Sequence, residues 1–482
     1  MGHYDRLSAL DASFLDLEDE CCHMHVCAVL LLEPGPLRTG EGGVDAARIR
    51  SYIESRLHLI PRYRQKLAYT PIERHPVWVD DESFNIFYHI RHTSLPKPGD
   101  ERQLKRLCGR LFSQKLDHTK PLWELWIVEG LASGHFAVVS KTHHCMVDGI
   151  SGVDLLSVVL SPSPVPAAEP APPWKPRPTQ SDVQLVAGEA WRRTKISLDI
   201  AREAARSLAS PISSALAVWD RATGLVETIG GGLTPASETP LNPPRTGPHR
   251  RFDWVRFELA EVKAVRAALG GTVNDVVLAS ATGALHRFLQ RHGVPTAGLD
   301  FRSLVPVNVR TADQHGGLGN KIAQMIAHLP VDEVDPRARL ARVIDTTTKL
   351  KSSHQVLASE LIEELSDWTA TGVLTSLLRL ATRQRSYNVI VTNVPGPQIP
   401  LFLLGAPLRD IYPMVPLFQG QALGFAIFSY AGGLDWGLVA DWDRIPDLHD
   451  VVNDLRDSFA ELRDVARPAE IRAMAAANAQ QR

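Results

Sequence analysis

The strongest chemical signal in this 482-residue sequence is the run Lys141-Thr142-His143-His144-Cys145-Met146-Val147-Asp148-Gly149. Neighbouring residues of a strand face opposite ways, so His143 and His144 do not both enter one cavity or ligate one metal. One of them works and the other packs. An aliphatic alcohol is a poor nucleophile at neutral pH, whereas a histidine of ordinary pKa, about 6.5, is mostly neutral there and accepts the hydroxyl proton as a C–O bond forms. Such general-base catalysis needs no acyl-enzyme. Asp148 stands where the strand must give way to a helix expected over residues 150–160, in the position of an N-cap, and Gly149 allows the tight turn between them.

Proton transfer of this kind contributes roughly 10²- to 10⁴-fold, and a donor to the tetrahedral oxyanion about 10²- to 10³-fold more, so a second polar residue is expected. Asn274, in Gly270-Gly271-Thr272-Val273-Asn274-Asp275-Val276-Val277, lies ahead of an apolar helix and is the candidate. Taken alone, Asn274 and Asp275 more often cap such a helix. A lone histidine on a strand is more often structural, so spacing alone does not assign His144. Cys145 as a thiol nucleophile is a poorer reading, because adjacent strand side chains diverge; the serine elbow Gly-x-Ser-x-Gly is absent at any strand-to-helix turn.

These residues need strands and helices to hold them. Val26 to Leu32 is a β-prone apolar run, residues 46–56 and 103–114 carry helical periodicity, and residues 122–131 and 135–143 read as two strands joined by Ala132-Ser133-Gly134. Residues 161–180 are rich in proline and read as an extended connector. Residues 181–228 read as a basic amphipathic helical stretch, interrupted near Pro211. Such a stretch can lie on anionic lipid, but is more often a crossover packed on the protein's own surface. The last third repeats the α/β style, with strands expected at 255–259, 304–307, 388–392, 423–430 and 436–440 and an amphipathic helix over 448–465. The division inferred is residues 1–160, a linker with crossover helices over 161–240, and a second α/β unit over 241–482.

Apolar residues make up 44% and charged residues 22%, which supports folding throughout most of the chain. With 52 basic and 54 acidic residues there is no bulk field for nucleic acid, so an anionic ligand must be gripped locally. Five cysteines without metal-site spacing fit reduced thiols in the cytoplasm. The first residues lack the pattern of a signal peptide, and no run reaches the roughly 18 apolar residues of a membrane span. Contact with a membrane is therefore expected only at its surface.

His143-His144-x-x-x-Asp148-Gly149 resembles the HHxxxDG motif of the CoA-dependent acyltransferase superfamily, in which the second histidine is the base and the aspartate is structural. Further matches resemble the bacterial wax ester synthase/diacylglycerol acyltransferase branch: residues 7–14 (LSALDASF), Pro121-Leu122-Trp123, residues 247–252 (GPHRRF), residues 272–276 (TVNDV) and Asn393-Val394-Pro395-Gly396-Pro397. They run along nearly the whole chain. The sequence departs from that branch at Cys21-Cys22-His23-Met24-His25, where a proline-methionine-histidine run is common, and at Asn242-Pro243. Both departures bear on substrate detail rather than on the chemistry. The DFGWG motif of plant-type relatives is missing, and a carrier-dependent condensation domain, which shares HHxxxDG, lacks the branch-specific motifs.

The resemblance implies an α/β fold of two chloramphenicol-acetyltransferase-like domains with mixed sheets and an interdomain substrate channel. It implies His144 as base and Asn274 as its assistant, with His143, Asp148, Gly149 and Asp275 as structural parts of the motifs. Long-chain acyl-CoA would be the donor substrate, diacylglycerol or a fatty alcohol the acceptor, and the inner membrane face or a lipid droplet the place of work, with no metal and no separate cofactor. A catalytically idle lipid-binding or droplet-coating protein of the same fold is the alternative.

Overall fold

The computed structural model describes residues 4–146, 155–165, 172–178, single positions between 185 and 194, 235–308, 322–351 and 386–467. In chain order the strands are β1 (Asp5–Arg6), β2 (His25–Leu32), β3 (Gln65–Tyr69), β4 (Pro76–Asp80), β5 (Ile90–Ser94), β6 (Trp123–Glu129), β7 (Phe136–His143), β8 (Arg250–Glu258), β9 (Arg302–Asn308), β10 (Ile322–His328), β11 (Val389–Pro395), β12 (Phe402–Leu403), β13 (Ala406–Met414), β14 (Leu423–Tyr430) and β15 (Gly433–Asp441). The helices used below are α1 (Ala9–Leu17), α2 (Ala46–Arg56), α3 (Glu101–Phe112), α4 (Leu259–Leu269), α5 (Val273–Arg291), α6 (Pro336–Lys351) and α7 (Leu448–Ala466).

Two six-stranded mixed sheets dominate, in the orders β12-β13-β2-β7-β6-β5 and β10-β9-β11-β14-β15-β8, with a small β1-β4-β3 sheet beside the first. The expected strand pair is the antiparallel β6–β7 ladder, and Gly134 turns between them at φ 75°, where an L side chain would be strained. Every residue of β7 is buried, as suits a central strand of the sheet. α3 starts at a capping box between Asp100 and Gln103 and buries Leu104, Cys108, Leu111 and Phe112 on one face. In the second unit α5 lies under the sheet with Val277, Leu278, Ala281, Leu285 and Phe288 in the core, flanked by α4, α6 and α7. The α/β class with mixed sheets is as expected.

The sequential division at residue 241 does not follow the sheets. β12 and β13, far into the third segment, cross back and pair with the first sheet, β13 running antiparallel to β2 from Leu408↔Leu32 to Met414↔Cys27. Two prolines and two charges within residues 406–414 hide this strand from pattern reading, and a register shift between Leu408 and Asp410 marks its irregularity.

β13 also joins the units. The Ile411 N–H donates to Asp435 Oδ2 at 3.0 Å, and Arg256 Nη1 reaches Asp410 at 2.6 Å and Asp435 at 3.5 Å. Burial pushes the Asp435 carboxyl up to about 7, against the pull of Ile411 and Arg256. Next to it, a Cβ at Gly437 would run into the Pro413 carbonyl, so this residue is glycine because two backbones touch there. On the other side of the junction, α3 lies against β8 and the Arg250 N–H donates to Ser113 Oγ at 2.8 Å.

The proline-rich connector is anchored where it is described. Arg177 holds Asp80 through Nε and Nη2, at 3.1 and 2.8 Å, and Trp174 packs edge-on against Phe84. Most of the basic stretch 181–228 lies outside the described residues.

Candidate active site

At His143 the chain leaves β7 and enters a 3₁₀ turn, His144–Met146. The turn is fixed by the His144 N–H, which donates to the Met24 carbonyl at 2.7 Å just before β2 begins. The two histidines diverge. His143 is wholly buried, whereas His144 lies deep in the protein yet keeps accessible surface. The His144 ring stacks on Phe14 of α1, with centroids 4.0 Å apart and planes 23° apart. Burial pushes its pKa below the ordinary imidazole value, and its buried Nδ1 has no hydrogen-bond partner. The ring is therefore neutral at pH 7, as a proton acceptor must be.

His143 faces a different group. Glu18, the residue that ends α1, has a side chain only 1% exposed and lies among imidazoles. Its Oε2 is 2.8 Å from His118 Nε2 and 3.1 Å from Lys115 Nζ, while Oε1 is 3.5 Å from His25 Nε2 and 3.8 Å from His143 Nε2. Burial raises the carboxyl, but the nearby His118 and His25 imidazoles and the surrounding positive charge outweigh it and hold Glu18 well below the carboxylate range. Burial keeps His143 neutral, pushed down to about 3.

Glu18, His118 and His143 bring three ligand-type atoms within 4.8 Å of one another, a spacing a metal could use. The His143 Nδ1, however, accepts the Cys145 N–H at 3.2 Å, which places its proton on Nε2, facing Glu18. His143 therefore turns an N–H rather than a free lone pair toward Glu18, and Lys115 Nζ adds a cation at the same carboxylate. The Cys145 thiol, pushed well up by burial, is no nucleophile.

Asn274 sits in the first turn of α5. Its neighbour Asp275 is buried and closes a capping box with Thr272, while its Oδ1 accepts the Thr347 hydroxyl of α6 at 2.7 Å. Asp275 thus ties α5 to α6. The Asn274 side chain is half-buried, and its Oδ1 accepts from Asn393 Nδ2 of β11 at 3.4 Å. That bond turns the Asn274 amide NH₂ away from β11. No hydrogen bond joins Asn274 to His144, which stands on the other unit. Asp148 and Gly149 lie outside the described residues.

Sequence reading missed Glu18 and His118, and quoted Phe14 and Asn393 only within matching motifs, without a role. Phe14 and Glu18 are one helical turn apart, a spacing that could have been noticed on α1. His118 comes from a loop a hundred positions away, and only the fold brings it to Glu18.

A family model described as the wax ester synthase/diacylglycerol acyltransferase catalytic domain matches residues 7–277, and the family's C-terminal domain model matches residues 318–463. The chain belongs to the wax ester synthase/diacylglycerol acyltransferase family. Family relatives include a Mycobacterium tuberculosis protein named for diacylglycerol O-acyltransferase activity, 34% identical, with the match covering 95% of this chain and 90% of that one. Another from the same species, similarly named, is 31% identical over 97% of both. Among solved structures, the family's enzyme from Marinobacter aquaeolei VT8 superposes with a TM-score of 0.67 at 27% identity, over 96% of this chain and 99% of the other. The starter condensation domain of rhizomide synthetase, solved with C8-CoA and Leu-SNAC, shares the fold at 14% identity and a TM-score of 0.55, over 97% and 95% of the two chains.

Proposed function

We propose that this wax ester synthase/diacylglycerol acyltransferase family protein moves a long-chain acyl group from acyl-CoA to diacylglycerol, forming triacylglycerol, and to fatty alcohols, forming wax esters. The observation that carries this reading is His144, kept neutral by burial, stacked on Phe14, and presented with accessible surface on a turn that two strands fix. The acceptor hydroxyl gives its proton to the His144 imidazole while its oxygen attacks the thioester carbonyl. The tetrahedral intermediate collapses, the C–S bond breaks, and the CoA thiolate leaves with the proton returned by His144. Asn274, its amide oriented by Asn393, donates to the oxyanion. Donor and acceptor meet in a channel between the two units. Atoms and charges balance without a further cofactor.

Water-insoluble acceptors place this reaction at a lipid surface. Among the described residues no helix is long and apolar enough to cross a membrane, so the association is peripheral on this reading, and Trp191 in the basic stretch is 73% exposed. Incubating the purified protein with palmitoyl-CoA and either dioleoylglycerol or hexadecanol, with thiol release and lipid products followed together, tests the proposal. Product that falls by about 10²- to 10⁴-fold in His144→Ala is expected for loss of a general base. Full activity in that variant would remove His144 from the mechanism; bound lipid without product would leave an idle lipid binder.

A further inference from the structure

Between α3 and the start of β8 lies a cleft of about 620 Å³ that contains neither His144 nor Asn274. Its size falls in the range of ligand pockets, roughly 300 to 1,000 Å³. Five permanently cationic side chains line it, Arg102, Lys105, Arg106, Arg250 and Arg251, against two carboxylates, Glu101 and Asp253. The cleft therefore carries a formal excess of three positive charges, in a chain whose net charge is −2.

The two carboxylates are already engaged. Lys105 Nζ pairs with both, and His449 Nδ1 holds Asp253 at 2.8 Å. The arginines are left without acidic partners. Arg102 and Arg106, one turn apart on the exposed face of α3, make no ion pair with any described residue. Arg250 is only 5% exposed, yet its guanidinium donates to the carbonyls of Gly247, His249 and Cys21 and has no carboxylate in ion-pair range among the described residues. Arg251 lies over the Trp442 ring at 3.9 Å and donates Nε to the Trp442 carbonyl at 2.8 Å.

A buried cation whose carboxylate neighbours, Asp441 and Asp19, stand beyond ion-pair range is costly, and an anion in the cleft would offset that cost. The planar guanidinium fork matches phosphate oxygens in pairs, and arginines set on two walls suit an anion with oxygens pointing several ways. Trp442, Phe252 and Leu448 add apolar surface beside the charges. We propose that this cleft is a binding site for a phosphate-bearing ligand, held by Arg102, Arg106 and Arg251 with Arg250 behind them. The site is separate from the His144 centre, and its assignment does not depend on the acyl-transfer reading.

The test uses the full chain at low ionic strength, in two arms. Pyrophosphate is titrated calorimetrically, and flotation is measured with phosphatidylcholine vesicles with and without phosphatidylglycerol. The Arg102→Ala/Arg106→Ala double variant and Arg251→Ala are run in parallel, with unchanged thermal unfolding confirming their fold. Binding in at least one arm, weakened at least tenfold in the variants and by added salt, is expected. Pyrophosphate binding alone identifies a soluble phosphate ligand, and capture by anionic vesicles alone identifies a lipid headgroup. No binding in either arm, or binding that the variants leave unchanged, overturns the proposal.

Discussion

His144 lies flat on Phe14, and Phe14 is one turn before Glu18, the carboxylate beside His143. One short helix, α1, thus reaches both members of the histidine pair, with Glu18 at its C-terminal end 3.8 Å from His143 and Phe14 against the ring of His144. Aromatic stacking of this kind is worth about 0.5 to 1.5 kcal/mol beyond burial, enough to choose one orientation of an imidazole that lacks a partner at Nδ1.

Phe14→Leu keeps an apolar group of similar bulk, so the fold should survive with a stability loss below about 1.5 kcal/mol. Without the stacking face His144 is no longer held in one orientation. We expect kcat to fall by about tenfold for each 1.4 kcal/mol of lost positioning, with little change in KM for either substrate. Unaltered kcat in a folded variant would show that Phe14 only fills space.

Acidity should affect the reaction later than an ordinary histidine would allow. Burial lowers the His144 pKa, so the neutral base persists below pH 6.5. The acidic limb of log(kcat/KM) against pH is expected to have its midpoint below the ordinary imidazole value. A midpoint at or above 6.5 would mean that another group controls the limb.

The Asn393–Asn274 bond predicts coupling across β11 and α5. Asn274→Ala should cost about 10²- to 10³-fold in kcat if its amide serves the oxyanion. Asn393→Ala alone should cost less, because it frees the amide without removing it. In the double variant the Asn393 change should add almost nothing. Fully additive losses would separate the two residues.

Asp435 links stability to pH. Its folded pKa, about 7, exceeds the ordinary 3.8, so between these values the native chain holds a proton that the unfolded chain has released. Its contribution is therefore fully present below about pH 4 and declines as pH rises through 7, by a few kcal/mol at 1.36 kcal/mol per unit. Denaturant midpoints of Asp435→Asn compared with the natural chain between pH 5 and 8 will show it. The difference should shift in favour of the variant as pH increases, and a constant difference would contradict the raised pKa.

Much of this arrangement is legible from local pattern. β2, α2, the β6–β7 pair and α7 follow from apolar periodicity, because each buries a single face or lies wholly inside. The capping role open to Asp275 is visible in Thr272-x-x-Asp275, and the divergence of His143 and His144 follows from strand geometry. β13 is not legible, since its prolines and charges are tolerated only through what it packs between. Glu18 and His118 are silent for a related reason. A carboxylate and an imidazole far apart in sequence become partners only after α1 and the loop before β6 are folded against β7.

The return of β13 to the first sheet also sets an order on biosynthesis. The edge of β2 that β13 will cover stays unpaired until residue 414 of 482 has left the ribosome. The nascent first unit thus waits through nearly the whole of translation with an open strand edge, the kind of edge that recruits another chain. Fragments ending before residue 406 inherit that edge permanently, so separately expressed halves of this protein are expected to aggregate rather than to fold as independent pieces.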